Sequence, residues 1–316
     1  MAHHGRRHAC RSTLAAAALL VVVSGCGMAA GPSERGERAA VARQPIAGTA
    51  PTVPSPSASA EPSVPAEPSV PAEPSAPAEP SAPAEPSASP LALASSDAPL
   101  AGRIVVLDPG HNRDNGRYPS EINRPVDAGG FPKQCNTTGT ATDSGVAEST
   151  VNWLLALALR DRLLALGADV QLTRQADEGW GPCIDERAAI ANRAGAHLLL
   201  SLHADGAAPG ARGFHVITPG LIEGWTDDIA ADSQRLAIAV RDALVAAGLP
   251  TSDYLGEQGI DVRRDLGTLN RADVPAVMLE AGNLRNADDA ALLTSDQGRR
   301  AIAEGLSSAV VAFLHG

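Results

Sequence analysis

The chain has 316 residues, a formal net charge of -11, 44% hydrophobic residues and only 3% aromatics. The acidic balance argues against nucleic acid as the main partner, because phosphate binding needs clustered Lys and Arg, and any core must be built from Ala, Val, Leu and Ile. Most of the 25 prolines precede residue 91, which rules out one average fold over the whole length. Residues 1–11 carry Arg6, Arg7 and Arg11 without an acid, and residues 13–23 are apolar. That run is about half of what a membrane-spanning helix needs, so residues 1–25 read as an export signal. Val23-Ser24-Gly25-Cys26 matches the pattern in which small residues precede a lipidated cysteine, so Cys26 is the expected lipid attachment point. An ordinary signal peptide with a chance cysteine is the alternative. Several buried acyl chains anchor stably where one does not.

Residues 26–101 are expected to be a disordered Ala/Glu/Pro/Ser-rich linker. Ala-Glu-Pro-Ser recurs at 60–63, 66–69, 72–75, 78–81 and 84–87, a period of 6. Pro at this density favours extended polyproline II, so the repeat reads as a spacer.

Residues 102–316 form the expected single catalytic domain. Strands are predicted at 103–107, 169–173, 197–202, 213–217 and 276–279, and helices at 148–166, 184–194, 228–247 and 298–314. Several strands are apolar at consecutive positions, as when both faces are covered. The alternation predicts an α/β fold, with a twisted, mostly parallel sheet and helices on both faces. The stretch 112–147 shows no periodic pattern and is rich in Gly, Asn, Asp and Pro; loops of that length are usually functional. Cys135 and Cys183 are the cysteines left once Cys10 and Cys26 are set aside. An even remainder in an exported domain suggests a disulfide. A thiolate metal site is the less favoured reading, because no CxxC is near.

His111, His203 and Glu280 follow three predicted strands, at the edge where open α/β sheets bind ligands. Glu148 opens the first predicted helix, where an acid commonly complements the helix dipole. If His111, Glu148 and His203 meet, they form a two-His, one-carboxylate set suited to catalytic zinc. Glu280 is then the candidate proton shuttle. Ser201 and His203 are too close in sequence to suggest a triad. His197 reads as structural, His215 as mid-strand packing and His315 as exposed.

Taken together, Asp108-Pro109-Gly110-His111, Glu148, Ser201-Leu202-His203-Ala204 and Pro275-Ala276-Val277 with Glu280-Ala281-Gly282 occur in that order. They resemble the motifs of the zinc-dependent N-acetylmuramoyl-L-alanine amidases of the type-3 family. Cys135, the segment around Cys183 and Arg212-Gly213-Phe214-His215-Val216 look like the short, disulfide-bearing members from actinobacteria. The resemblance covers residues 102–316. It implies Zn2+ held by His111, Glu148 and His203, Glu280 as catalytic residue, and cleavage of the amide between N-acetylmuramic acid and L-alanine. Asn270, Asn283 and Arg285 are candidate substrate contacts because they flank Glu280 in sequence. The expected setting is the cell-wall space, with a monomeric enzyme tethered by lipid to the outer face of the membrane and peptidoglycan as its partner. The competing readings are an inactive peptidoglycan-binding or regulatory protein on the same fold, and a zinc hydrolase of another wall bond.

Overall fold

The computed structural model describes residues 98–316; the expected signal, Cys26 and the spacer through residue 97 lie outside the described residues. The elements in chain order are β1 (Ile104–Pro109), α1 (Pro119–Ile122), β2 (Pro125–Asp127), β3 (Pro132–Gln134), α2 (Glu148–Ala165), β4 (Asp169–Leu172), α3 (Ile184–Ala194) and β5 (Leu198–Asp205). They continue with β6 (His215–Pro219), α4 (Ala230–Ala246), β7 (Ile260–Arg263), α5 (Gly267–Asn270), β8 (Ala276–Asn283), α6 (Ala287–Thr294) and α7 (Asp296–His315). The main sheet has the order β4-β1-β5-β8-β6-β7, and β2 and β3 form a separate hairpin. Strands β4, β1, β5 and β8 are parallel, whereas β6 runs antiparallel to β8.

Consecutive apolar positions in the strands serve opposite faces. Val105, Leu107, Leu198, Leu200, Leu202, Val277 and Leu279 pack with α2, α4 and α7. Val106, Leu199, Ile217, Ala276 and Met278 pack on the other side with Ala191 of α3 and Leu269 of α5. This two-sided cover is why the strands read as unbroken apolar runs.

Four expectations need correction. The packed body begins before residue 102, since Leu100 is fully buried and its N–H bonds the Leu166 carbonyl. The stretch 112–147 holds a 3-10 turn, α1 and the β2–β3 hairpin. These elements are too short to show a period. Strand β7 and the helices α5 and α6 are further elements that the sequence pattern does not announce. Strand β6 starts at His215 and not at 213: Gly213 has φ +92, and a Cβ there would lie 2.5 Å from the Thr251 carbonyl oxygen.

Cys135 and Cys183 form a disulfide, which rests with Val126 and Ile184 in a small apolar cluster. It fastens the end of β3 to the start of α3 across a separation of 48 residues. Replacing both cysteines by Ser is expected to lower the unfolding free energy by about 2–4 kcal/mol, because the cross-link restricts the unfolded chain. Urea unfolding followed by circular dichroism measures it; an unchanged midpoint would contradict the entropic account.

Candidate metal centre and its proton-transfer group

Strand β1 delivers Asp108 and Pro109 to the carboxyl edge of the sheet, and the chain then turns sharply. Gly110 bonds the Leu202 carbonyl, and His111 adopts φ +57, a left-handed conformation unusual for a non-glycine residue. The turn aims the His111 imidazole inward. Its Nδ1 lies 3.0 Å from the Thr137 carbonyl oxygen, which can only accept, so Nδ1 carries the proton and Nε2 presents its lone pair. Nε2 is 3.2 Å from Oε1 of Glu148.

Glu148 is buried at the first turn of α2. Oε2 accepts the Thr140 N–H at 2.9 Å, and Oε1 accepts the Ala204 N–H and the Asn152 amide, each at 3.3 Å. His203 stands in β5 with Nδ1 3.0 Å from the same Oε1. The two imidazole rings are 4.8 Å apart, edge to face. One donor atom from each of His111, Glu148 and His203 therefore lies within 4.8 Å of the others. Burial alone would depress the His111 pKa, but the Glu148 carboxylate outweighs it and lifts the value. Burial likewise opposes ionisation of Glu148, but His111 and His203 prevail and hold its carboxyl well below the usual range.

Two imidazole nitrogens and one carboxylate oxygen are a donor set suited to zinc, and three protein ligands leave room for water or substrate. The fixed outer nitrogen of His111 supports the same conclusion, because metal-ligating histidines are oriented through their other ring N–H. The residues present therefore fit the ion. Close approach at Gly110 is part of this fit: a Cβ there would lie 2.2 Å from the His203 ring. Gly110→Ala is expected to displace that ring and weaken zinc binding about 10–100-fold, the range for disturbing a ligand's supports. Isothermal titration with zinc measures it, with circular dichroism to show that the fold persists; unchanged affinity would refute it.

Glu280 lies within β8, opposite His203 of β5 on one side and His215 of β6 on the other. The apolar pattern by itself ends both parallel strands at residues 202 and 279. The ladder continues through the polar positions, so His203 and Glu280 belong to strands and do not follow them. Burial pushes the Glu280 carboxyl well above its usual range, reinforced by the negative charges of Glu148 and Asp205 and opposed by Arg263. Its Oε2 is buried without a hydrogen-bond partner. His215 is not mid-strand packing. Because β6 is antiparallel, its first residue lies at the edge where the parallel strands end. Burial holds the His215 imidazole below its ordinary pKa, and its Nδ1 also has no partner. His197 behaves as expected, accepting the Ile104 N–H at the far end of the sheet.

His111, His203 and Glu280 line one cleft of about 240 Å³, with Thr137, Arg187 and Thr268 on its walls. The three candidate substrate contacts lie elsewhere or are engaged elsewhere. Asn270 is buried, with its amide donating to the Ala128 and Arg264 carbonyls. Asn283 donates to Ala208 and Ala211 and accepts from Ala207 and Arg285 N–H groups, so its side chain braces loops and has no atom free for substrate. Arg285 pairs with Asp143 at 3.0 Å on an exposed rim. Nearness to Glu280 in sequence therefore does not bring these three side chains into the cleft lined by Glu280.

The sequence reading assigned no role to Arg187. Its guanidinium meets Asp108 at 2.6 Å and also bonds the Pro109, His111 and Pro182 carbonyls and Asn112 Oδ1. The contacts to Asp108, Pro109, His111 and Asn112 tie α3 to the turn that aims His111. The available signal was Asp108 itself, a lone acid ending an apolar strand and therefore in need of a buried cation.

Comparison with known proteins agrees with this arrangement. Residues 105–312 match the family described as N-acetylmuramoyl-L-alanine amidase. The N-acetylmuramoyl-L-alanine amidase Rv3717 of Mycobacterium tuberculosis is 40% identical over 231 residues, covering 72% of this chain and 93% of that protein. The crystal structure of the amidase Ami1 from Mycobacterium smegmatis superposes with a TM-score of 0.65 at 40% identity, covering 68% of this chain and 98% of that one. The apo form of Ami1 from Mycobacterium abscessus gives a TM-score of 0.65 at 43% identity, covering 68% and 100%.

Proposed function

Since the chain belongs to the N-acetylmuramoyl-L-alanine amidase family, and is thereby a peptidoglycan amidase, we propose that it works as a zinc enzyme in which His111, Glu148 and His203 hold the metal and Glu280 transfers the proton. The observation that carries this reading is the convergence of those three donor groups at a cleft lined by His111, His203 and Glu280, whose buried carboxyl has a raised pKa. When bound, zinc supplies Lewis-acid polarisation of the scissile carbonyl and lowers the pKa of water.

The chain's own residues do the remaining work. Glu280 accepts a proton from the attacking water and gives it to the departing amine of L-alanine. Its raised pKa suits both halves of that exchange, since a shuttle must take and release a proton near working pH. His111 is held in one tautomer by Thr137, and Glu148 is held ionised, so neither needs to reorganise during turnover. Arg187 keeps the His111 turn rigid. The cell wall is the expected site of action. Supported by the residue pattern before position 102, we place the enzyme on the outer face of the membrane through the Cys26 lipid, as a monomer reaching the wall over its Pro-rich spacer. No helix among the described residues is long and apolar enough to cross a membrane.

The test is incubation of the full chain with peptidoglycan and with a muramoyl-peptide fragment, with products identified by mass spectrometry. Free peptide beginning at L-alanine is expected, abolished by chelator and restored by zinc. Cleavage of another bond would overturn the substrate assignment. Intact substrates with zinc bound would favour a regulatory protein on this fold.

A further inference from the structure

We infer that Tyr118 and Trp180 form a sugar-stacking subsite beside the catalytic cleft, taking the pyranose face of an N-acetylated residue in the glycan strand next to the muramoyl unit that is cut. The inference rests on the amidase reading for its ligand class and extends it to the glycan.

The chain has 3 Trp, 2 Tyr and 3 Phe, and almost every one has an internal task. Trp153, Trp225 and Phe313 each lie against an arginine, Arg174, Arg271 and Arg235 respectively. Phe214 is in the core. The Tyr254 hydroxyl donates to Asp205. Phe131 sits at the turn of the β2–β3 hairpin. Tyr118 and Trp180 instead stand together in solvent, 38% and 37% exposed, with ring centroids 6.2 Å apart and planes inclined by 39°. An exposed aromatic pair on loops costs solvation and calls for an occupant. Rings of this kind present a flat apolar face with little conformational entropy to lose, which favours them as binding anchors.

The pair is continuous with the candidate centre. Asn115 donates to the same Thr137 carbonyl that fixes His111, at 2.6 Å, and the Tyr118 N–H bonds the Asn115 carbonyl. Trp180 is held to that segment by reciprocal bonds between Gly179 and Asp114. The disulfide at Cys183 then fastens its loop to Cys135, just before the cleft residues Asn136 and Thr137. Both rings thus ride on loops pinned to the wall of the cleft. A pyranose with equatorial substituents exposes axial C–H bonds on its faces and hydroxyls round its rim. It can therefore stack on aromatic faces while its polar groups stay in water. A glycan strand entering the cleft with its stem peptide would lay its neighbouring sugar on this pair.

The test uses the full chain and a linear tetramer of β-1,4-linked N-acetylglucosamine, which has no peptide and cannot be hydrolysed by an amidase. Titration should quench tryptophan fluorescence, and binding followed by calorimetry should weaken at least tenfold in Trp180→Ala and in Tyr118→Ala but not in Trp180→Phe. In the hydrolysis assay, Trp180→Ala should raise the ratio of KM for glycan polymer to KM for muramoyl-peptide monomer about tenfold. Equal affinity of wild type and Trp180→Ala for the tetramer, or an unchanged KM ratio, would overturn the subsite. Tetramer binding that depends on Trp180 while neither substrate is hydrolysed would retain the subsite and discard the amidase reading.

Discussion

Glu280→Gln is expected to lower kcat about 10²–10⁴-fold, the range that a positioned acid–base group contributes. That corresponds to roughly 3–5 kcal/mol of barrier. Gln preserves the volume of the side chain between His203 and His215 but cannot carry the proton to the leaving amine. Zinc affinity should stay within a factor of a few, because Glu280 is not among the three grouped donors. The pH profile gives a second readout. Burial, reinforced by Glu148 and Asp205, raises the Glu280 pKa, so the rate of the wild type should climb with pH through a value above the ordinary carboxylate range. That limb should vanish in the variant. Steady-state kinetics on a muramoyl peptide between about pH 4 and 8, the span bracketing a carboxylate raised from about 4.3, would decide it. A variant that retained both rate and limb would exclude Glu280 as the shuttle.

Arg187→Met should give the largest loss of stability. Burial alone would push the Asp108 carboxyl up, but Arg187 outweighs burial, aided by the Ser201 and Thr173 hydroxyls, and holds it below its usual value. Removing the guanidinium leaves a buried charge uncompensated, at a cost of about 3–5 kcal/mol, and takes from the His111 carbonyl its side-chain donor. The sign of the pH dependence should also change. In the wild type the depressed pKa contributes stability above the unfolded value of about 3.9, lost as pH falls through the lower folded value. Without Arg187, Asp108 should hold its proton in the folded state, so stability should fall as pH rises through its new, higher pKa. Urea unfolding at several pH values would show the two slopes. A loss under about 1 kcal/mol, or parallel slopes, would refute this account, since even one unmatched buried polar group costs that much.

The long helices and central strands were legible because their signals are local. Residues 184–194 were predicted as a helix and form α3 with those bounds. Apolar runs such as Leu198 to Leu202 announced strands covered on both sides. Short elements were not legible: the three-residue strands β2 and β3 owe their pairing to each other and to the disulfide beneath them. His111, His203 and Glu280 stand out as candidates by their places at the ends of apolar strand runs, and Glu148 by its place at a helix start. That candidacy is contained in the local order of the chain.

What only the tertiary structure decided was how these groups meet and what surrounds them. The direction of β6 cannot be read from its residues, yet it brings His215 opposite Glu280 and so to the edge that carries the candidate site. The reach of Arg187 to Asp108 and His111 depends on α3 crossing the sheet. The backbone carbonyls that occupy Asn270 and Asn283 come from segments distant in sequence. Sequence by itself determined the long elements and the order of the candidate ligand residues, because helix and strand periodicity and motif chemistry act over a few residues. Burial, charge coupling and hydrogen-bond satisfaction are sums over neighbours from the whole chain, and they exist only once the sheet has been assembled.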